Sequence, residues 1–185
     1  PELERVLRYV LHKPRDYALI LFLADTGCRA GGAAGLRVQD IEFERRRATV
    51  TEKGDKTRPV TFGEDCAAAI RDWLLKRKRH GEYVFANRSK KLTGAQVGQI
   101  VRRACLKAGV RSLGSHSLRH RKGHQFADQR IAASVAATAM GHSDVTITLT
   151  NYYPDDYERA EQALAELQTR VQAPRIVQFK DGTGG

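Results

Sequence analysis

Two histidines and an arginine lie close together in the segment SHSLRH, residues 115–120. His116 and Arg119 are spaced to share one face of a helix, and His120 follows directly. An imidazole that titrates near neutral pH and a permanently charged guanidinium suit three roles. They can form a solvated basic surface, bind a metal or an anion, or make up half of an active site.

Further side chains with compatible chemistry are spread along the chain: Arg29 after DTGC, Lys53, His142 in GHSD, and the neighbouring Tyr152 and Tyr153. Together they suit attack on a phosphodiester. Arginines bind non-bridging oxygens in pairs of hydrogen bonds and neutralise transition-state charge. A lysine can protonate a leaving alkoxide, a histidine can take or share a proton, and a tyrosine can be the nucleophile.

Each of these residues also has an ordinary structural interpretation. Arg29 could be solvated, Lys53 could solubilise a turn, and His142 could complement the dipole at the end of a helix. Zinc is a further alternative, because His116, His120 and His124 share one helical face. A nearby cysteine or carboxylate is missing there, and the grouped carboxylates that Mg²⁺ requires are missing from all the clusters, so the sequence disfavours a metal site.

The composition favours a polyanionic partner. The 185 residues carry a formal net charge of +11, and neutralising phosphates with such a surplus releases condensed counterions. The three cysteines lack CxxC spacing, which argues against a disulfide framework and fits a reducing cytoplasm. No apolar run is long enough to predict a transmembrane helix.

Hydrophobic spacing predicts a mainly helical fold with one small antiparallel sheet, that is, an α+β class. A hairpin is predicted over 46–62, with Ala48 and Val50 alternating with threonines and a turn at 53–56. Residues 82–86 are a candidate for a short third strand. Helical patterns cover residues 2–12, 14–27, 29–36, 64–79, 94–109, 117–127, 132–140 and a segment that starts at Pro154.

The order of the clusters resembles the catalytic domain of the tyrosine recombinases, the phage integrase and Xer-type family. DTGCRAGGAAGLRVQDIEF is similar to the family's first arginine box, and EKGDKTRPVTF is similar to its β-hairpin lysine motif. HSLRH matches its His-x-x-Arg-His box, and AMGHSDVTITLTNYY matches the Gly-His box that leads to the nucleophile. Each motif is weak by itself, but four in order over about residues 1–170 are specific.

The resemblance implies a role for each matched residue. Arg29 and Arg119 would bind the scissile phosphate, and His116 would hydrogen-bond that phosphate or act as a general base. His142 would be a further donor, and Lys53 would protonate the departing 5′ oxygen. His120 would have a structural role.

The nucleophile implied by the resemblance is Tyr152, which follows His142 at the family's spacing, with Tyr153 as the alternative. It would form a 3′-phosphotyrosyl bond, so strands could be exchanged without a metal, ATP or another cofactor. Lys56 and Arg58 would contact DNA. The implied activity is site-specific recombination or integration. A type IB topoisomerase-like enzyme and a DNA-binding protein of the same fold without cleavage activity are the alternatives.

The resemblance also implies partners and domain organisation. Double-stranded DNA at recombination sites, other protomers of a synaptic tetramer and accessory DNA-bending factors would be partners in the cytoplasm, at the nucleoid. Residues 1–170 would form the catalytic domain and 171–185 a tail that exchanges between protomers or is disordered. The family's N-terminal core-binding domain is expected to lie outside this sequence. One departure concerns Gly32, where the family has an acidic residue, which questions how firmly Arg29 is held.

Overall fold

The fold is described by a computed structural model that covers residues 2–52, 54–78, 81–87, 90–111, 114–142, 144–159 and 161–162. The helices are α1 Glu2–Val10, α2 Pro14–Thr26, α3 Ala30–Gly35, α4 Glu64–Lys76, α5 Gly94–Lys107, α6 Ser115–Asp128, α7 Ala133–Met140 and α8 Val145–Tyr152. The strands are β1 Ile41–Glu42, β2 Arg47–Thr51, β3 Thr57–Thr61, β4 Ala86–Asn87 and β5 Lys90–Lys91. This agrees with the predicted class of a mainly helical fold with a small antiparallel sheet.

The central helix, α2, packs against α1, α4 and α6. Leu19, Phe22 and Leu23 on this helix are completely buried. Burying one side chain of this size contributes about 1.5–3 kcal/mol to the free energy of unfolding, so α2 is a major source of stability. The helix ends at Gly27, which has a φ of 60° and donates its N–H to the Leu23 carbonyl at 3.0 Å.

The main sheet has the strand order β1-β2-β3 and is antiparallel. β2 and β3 pair from Arg47 opposite Thr61 to Thr51 opposite Thr57, which confirms the hairpin predicted over 46–62. Ala48 is buried on one face of β2, as the alternating pattern predicted. The residue after β2 is Glu52, and the sheet therefore delivers a carboxylate to the end of α2.

A second, smaller hydrophobic cluster lies apart from the core around α2. It is built from buried residues of α7, of α8 and of the position directly after α8, with partly buried side chains of α6, α7 and α8 packed against it. Met140 and Tyr152 are among its buried members. This cluster positions the predicted nucleophile.

One prediction about secondary structure was wrong, and one helix was not predicted. Residues 82–86 do not add a strand to the main sheet; Ala86 alone among them enters a strand, in the separate two-residue hairpin of β4 and β5. Trp73 instead donates its indole N–H to the Val84 carbonyl at 2.7 Å, which ties this segment to α4. Helix α8 is the one that was not predicted; its threonines and valine favour strands. The predicted tail, 171–185, lies outside the described residues.

Candidate active site

Arg29 follows the C-terminal end of α2 and directly precedes α3. Thr26 shapes this turn, because its hydroxyl donates to the Phe22 carbonyl at 2.7 Å and accepts from the Cys28 N–H at 3.2 Å. The Arg29 N–H donates to one carboxylate oxygen of Glu52 at 2.7 Å, and its guanidinium pairs with the other. The Arg29 side chain is 46% exposed, so one side of the guanidinium is held and the other is open.

Glu52 is the site residue that the sequence analysis missed. Its side chain is only 4% exposed, and it accepts a second ion pair from Arg58 at 3.4 Å. Burial alone would raise the pKa of Glu52, but the N–H of Arg29 and the charge of Arg58 outweigh burial and hold that pKa below its ordinary value. No local pattern indicates this role, because Glu52 is separated from Arg29 by 23 positions.

Arg119 is buried and joins the C-terminal ends of two helices. Its guanidinium donates to the Gly27 carbonyl at 2.7 Å and to the Met140 carbonyl at 2.5 Å. Both carbonyls lie at the negative end of a helix, where a cation is favourable. Burial, and then the nearby charge of Arg29, lower the pKa of Arg119 to about 10, so Arg119 remains charged at neutral pH.

Arg58 extends from β3 to the end of α7. It donates to the Ala139 carbonyl at 2.5 Å, and its Nε has no hydrogen-bond partner in the part of the chain that the structure describes. A Cβ at Gly141 would lie 2.5 Å from the Arg58 side chain, so glycine makes room for it. The Arg58 side chain is only 10% exposed, so most of its surface packs against the protein. Its predicted contact with DNA stays a prediction.

His142 follows Gly141 and is bound to α8 through its Nδ1, which lies 2.6 Å from the hydroxyl of Thr148. Thr148 is completely buried. Burial, and then the charge of Arg119, lower the pKa of His142 to about 4, so the imidazole is neutral at pH 7. A neutral imidazole whose Nδ1 accepts the Thr148 proton presents its Nε2–H as a donor.

Tyr152 lies in a slot formed by histidines and a glycine. The residue is 6% exposed, and its ring stacks on His142 with centroids 6.4 Å apart and meets the rings of His120 at 5.6 Å and His124 at 5.3 Å edge to face. A Cβ at Gly123 would lie 2.4 Å from the ring, so only glycine leaves this space. Burial raises the pKa of Tyr152, although the charge of Arg119 opposes this.

Tyr153 has a different environment from Tyr152. Its hydroxyl donates to the Ile131 carbonyl at 2.7 Å, so its proton is used in a contact with the loop between α6 and α7. No hydrogen bond of the Tyr152 hydroxyl occurs within the described ranges. This difference favours Tyr152 over Tyr153 as the reactive group.

His116 is exposed at the start of α6, and its ring lies 4.5 Å from that of His120. The rings of His116, His120, Tyr152 and His142 therefore form a continuous series. His120 packs between the first and the third of them, in keeping with the structural role expected for it. Within the described part of the chain, no three His, Cys, Asp or Glu side chains are grouped so that they could hold a metal ion.

One cleft is lined by four of the eight predicted site residues, namely Arg29, Lys56, Arg58 and His142. It is lined by Arg29, Glu52, Gly54, Lys56, Thr57, Arg58, Gly141, His142 and Ile147. Arg119 does not line this cleft, but its charge and that of Arg29 both act on His142. Lys53 lies outside the described residues, so its predicted role stays a prediction. No helix in the described ranges is long and apolar enough to cross a membrane.

The profile of the phage integrase family matches residues 2–159, a range that contains the cleft and the tyrosine slot. The chain belongs to the phage integrase family. The resemblance found from the four motifs is therefore confirmed over residues 2–159.

Relatives of this chain include proteins named as tyrosine recombinases. The chain is 34% identical over 138 residues to tyrosine recombinase XerC of Corynebacterium glutamicum, covering 72% of the chain and 45% of that relative. It is 28% identical over 144 residues to XerD of Neisseria meningitidis, covering 74% of the chain and 50% of that relative. The chain thus spans half or less of the length of these relatives.

Solved structures share the fold of this integrase-family chain. The crystal structure of XerA recombinase superposes with a TM-score of 0.75 at 25% identity, covering 93% of this chain and 64% of that one. XerH recombinase in a post-cleavage complex with palindromic difH substrate gives a TM-score of 0.69 at 25% identity, covering 90% and 52%. The predicted fold, a tyrosine recombinase catalytic domain, is confirmed.

Proposed function

We propose that this chain is the catalytic domain of a site-specific DNA recombinase that breaks and rejoins strands through a 3′-phosphotyrosyl intermediate. The observation that carries the proposal is the position of Tyr152, whose ring stacks on His142 beside the buried guanidinium of Arg119. An unbonded phenol next to a neutral hydrogen-bond donor and fixed cations suits nucleophilic attack on a phosphodiester. Membership of the phage integrase family supports the same activity.

The reaction balances without an added reagent. The Tyr152 oxygen forms a bond to the scissile phosphorus, the bond from phosphorus to the 5′ oxygen breaks, and the phenol proton passes to a base. A proton from a donor completes the departing 5′ hydroxyl. One phosphodiester replaces another, so a 5′ hydroxyl from a second strand can reverse the step and join strands.

The other polar residues of the site have separate roles in this reaction. The open side of the Arg29 guanidinium and the cleft beside Arg119 offer positive charge to the non-bridging oxygens. His142 acts as a neutral donor, because its low pKa makes it a poor base at pH 7. His116, exposed at the end of the series of rings, is the candidate base, and Lys53 is the candidate acid.

The proposal extends to the substrate and to the assembly in which the chain acts. The substrate is double-stranded DNA at a recombination or integration site, within the nucleoid, and protomers act in a synaptic tetramer with accessory DNA-bending factors. Lys56, exposed on the cleft, binds the DNA backbone. Residues 171–185 are a candidate for exchange between protomers.

The proposal is tested with a nicked duplex whose binding site is selected from a randomised DNA pool. A nick close to the cleavage position lets the short product diffuse away and traps the protein on the 3′ end. We expect a denaturation-resistant protein–DNA adduct, and joining of the trapped strand when a second duplex with a 5′ hydroxyl is added. An adduct without joining to the second duplex would favour topoisomerase-like chemistry, and DNA binding without any adduct would contradict the proposed enzyme.

A further inference from the structure

We infer that Glu52 is a positioning residue that holds Arg29 and Arg58 in place for the phosphate. It would take over the role of the acidic residue that the family has at the position of Gly32. This inference rests on the proposed function, because it assigns the residue that orients the arginines of that site. Glu52 itself would not contact the DNA.

The contacts show that one carboxylate holds two separate segments of the site together. One of its oxygens accepts the Arg29 N–H at 2.7 Å and lies 3.4 Å from the Arg58 guanidinium, and the other pairs with the Arg29 guanidinium. Arg29 belongs to the loop after α2, and Arg58 belongs to β3. A buried carboxylate that accepts three charge-assisted contacts is a rigid support, because moving it would leave each donor without a partner.

The space around Gly32 shows why the carboxylate comes from the sheet. A Cβ at Gly32 would lie 3.3 Å from the Cγ of Glu52 and 3.5 Å from its Oε1. The Glu52 side chain therefore occupies the volume that a side chain at position 32 would need. A glutamate at position 32 spans that distance, so its carboxyl could reach the same place once Glu52 is shortened.

A role of Glu52 in positioning Arg29 and a role of its negative charge alone predict different effects when the carboxylate is removed. Removing a negative charge beside the cleft makes the cleft more positive, which by electrostatics alone would strengthen DNA binding and leave cleavage unchanged or faster. Loss of a positioning contact slows cleavage, because Arg29 no longer holds the geometry that the transition state needs. Binding and cleavage measured separately therefore distinguish the two.

The experiment compares single-turnover adduct formation and DNA affinity for wild type, Glu52→Gln, Glu52→Ala and Gly32→Glu/Glu52→Ala. We expect Glu52→Gln to slow adduct formation about 10- to 100-fold, the usual effect of removing an orienting partner, with DNA affinity equal or higher. The double variant should recover about 10-fold of the loss in Glu52→Ala, whereas Gly32→Glu alone should be slower than wild type because two carboxylates compete for one volume. The matched control is Glu44→Gln, whose side chain is 96% exposed.

A second measurement needs no DNA. The ¹⁵N relaxation of the Arg29 Nε–H reports how firmly the side chain is held, and Glu52→Gln should increase its mobility while Glu44→Gln should not. Wild-type cleavage rates in Glu52→Gln, or an equally ordered Arg29 in that variant, would overturn the inference. Absence of an adduct in the wild type would instead reject the proposed function, and the Arg29 relaxation would still decide the role of Glu52.

Discussion

At the scale of single residues, the polar groups of the site are held by backbone carbonyls and by buried side chains of the fold. Arg119 donates to the carbonyls of Gly27 and Met140, so two helix ends fix its orientation before any substrate binds. His142 is fixed by Thr148 at 2.6 Å. Because these partners belong to the folded chain, Arg119 and His142 are oriented before a phosphate arrives, which reduces the cost of reorganisation.

The protonation of His142 gives a prediction at this scale. Its pKa is lowered to about 4 from an ordinary 6.5, so between these values the unfolded chain binds a proton that the folded chain does not. His142 therefore makes the free energy of unfolding decrease as the pH falls from 6.5 towards 4. An NMR titration of the imidazole C–H signals should show a midpoint near pH 4, and a midpoint near 6.5 would contradict a buried neutral donor.

At the scale of elements, α8 shows how tertiary structure overrides local propensity. Its sequence, VTITLTNY, is rich in residues that favour strands. The helix nevertheless forms, because Asp144 caps it by accepting the Thr146 N–H at 2.8 Å, and because Thr148 and Tyr152 are buried against α6 and α7. The β-branched pattern of the segment could not reveal this, since the stabilising contacts come from distant helices.

The close contact between α6 and α8 predicts the effect of a single methyl group. A Cβ at Gly123 would lie 2.4 Å from the Tyr152 ring, whereas one at Gly98, on α5, meets nothing within 4 Å. We expect Gly123→Ala to lower the free energy of unfolding by about 1–3 kcal/mol, because the ring must leave its slot. Gly98→Ala should raise it by about 0.5–1 kcal/mol, because alanine favours helices.

Denaturant unfolding of the two glycine variants provides the measurement. If Gly123→Ala is as stable as Gly98→Ala, the Tyr152 ring does not lie against α6 in solution.

At the scale of the whole molecule, the positive charge predicts how DNA binding depends on salt. A formal net charge of +11 favours binding driven by release of counterions. Lys56 is exposed on the cleft, so Lys56→Ala should reduce the slope of log K against log salt by about 1. Lys76 on α4 does not line the cleft and serves as the matched control. Fluorescence anisotropy on one duplex across a salt series measures this slope. A slope in Lys56→Ala equal to that of the wild type would show that Lys56 does not contact the DNA backbone.

The sequence predicted those parts of the fold whose causes are local. The hairpin over 46–62 followed from alternation along β2, and the end of α2 followed from Gly27. The four motifs and their order indicated the family, although no single motif was sufficient. Glu52 could not be predicted, because its function depends on the return of β2 to the end of α2, a contact that the local sequence does not encode.

The central claim is that the Tyr152 phenol becomes covalently bound to DNA. Tyr152→Phe removes the reactive oxygen and retains the ring that fills the slot, so the variant should fold and bind DNA like the wild type. Tyr153→Phe is the matched control, because the Tyr153 hydroxyl is bound to the Ile131 carbonyl. On the nicked duplex we expect no adduct from Tyr152→Phe and an adduct from Tyr153→Phe; an adduct from Tyr152→Phe would contradict the account.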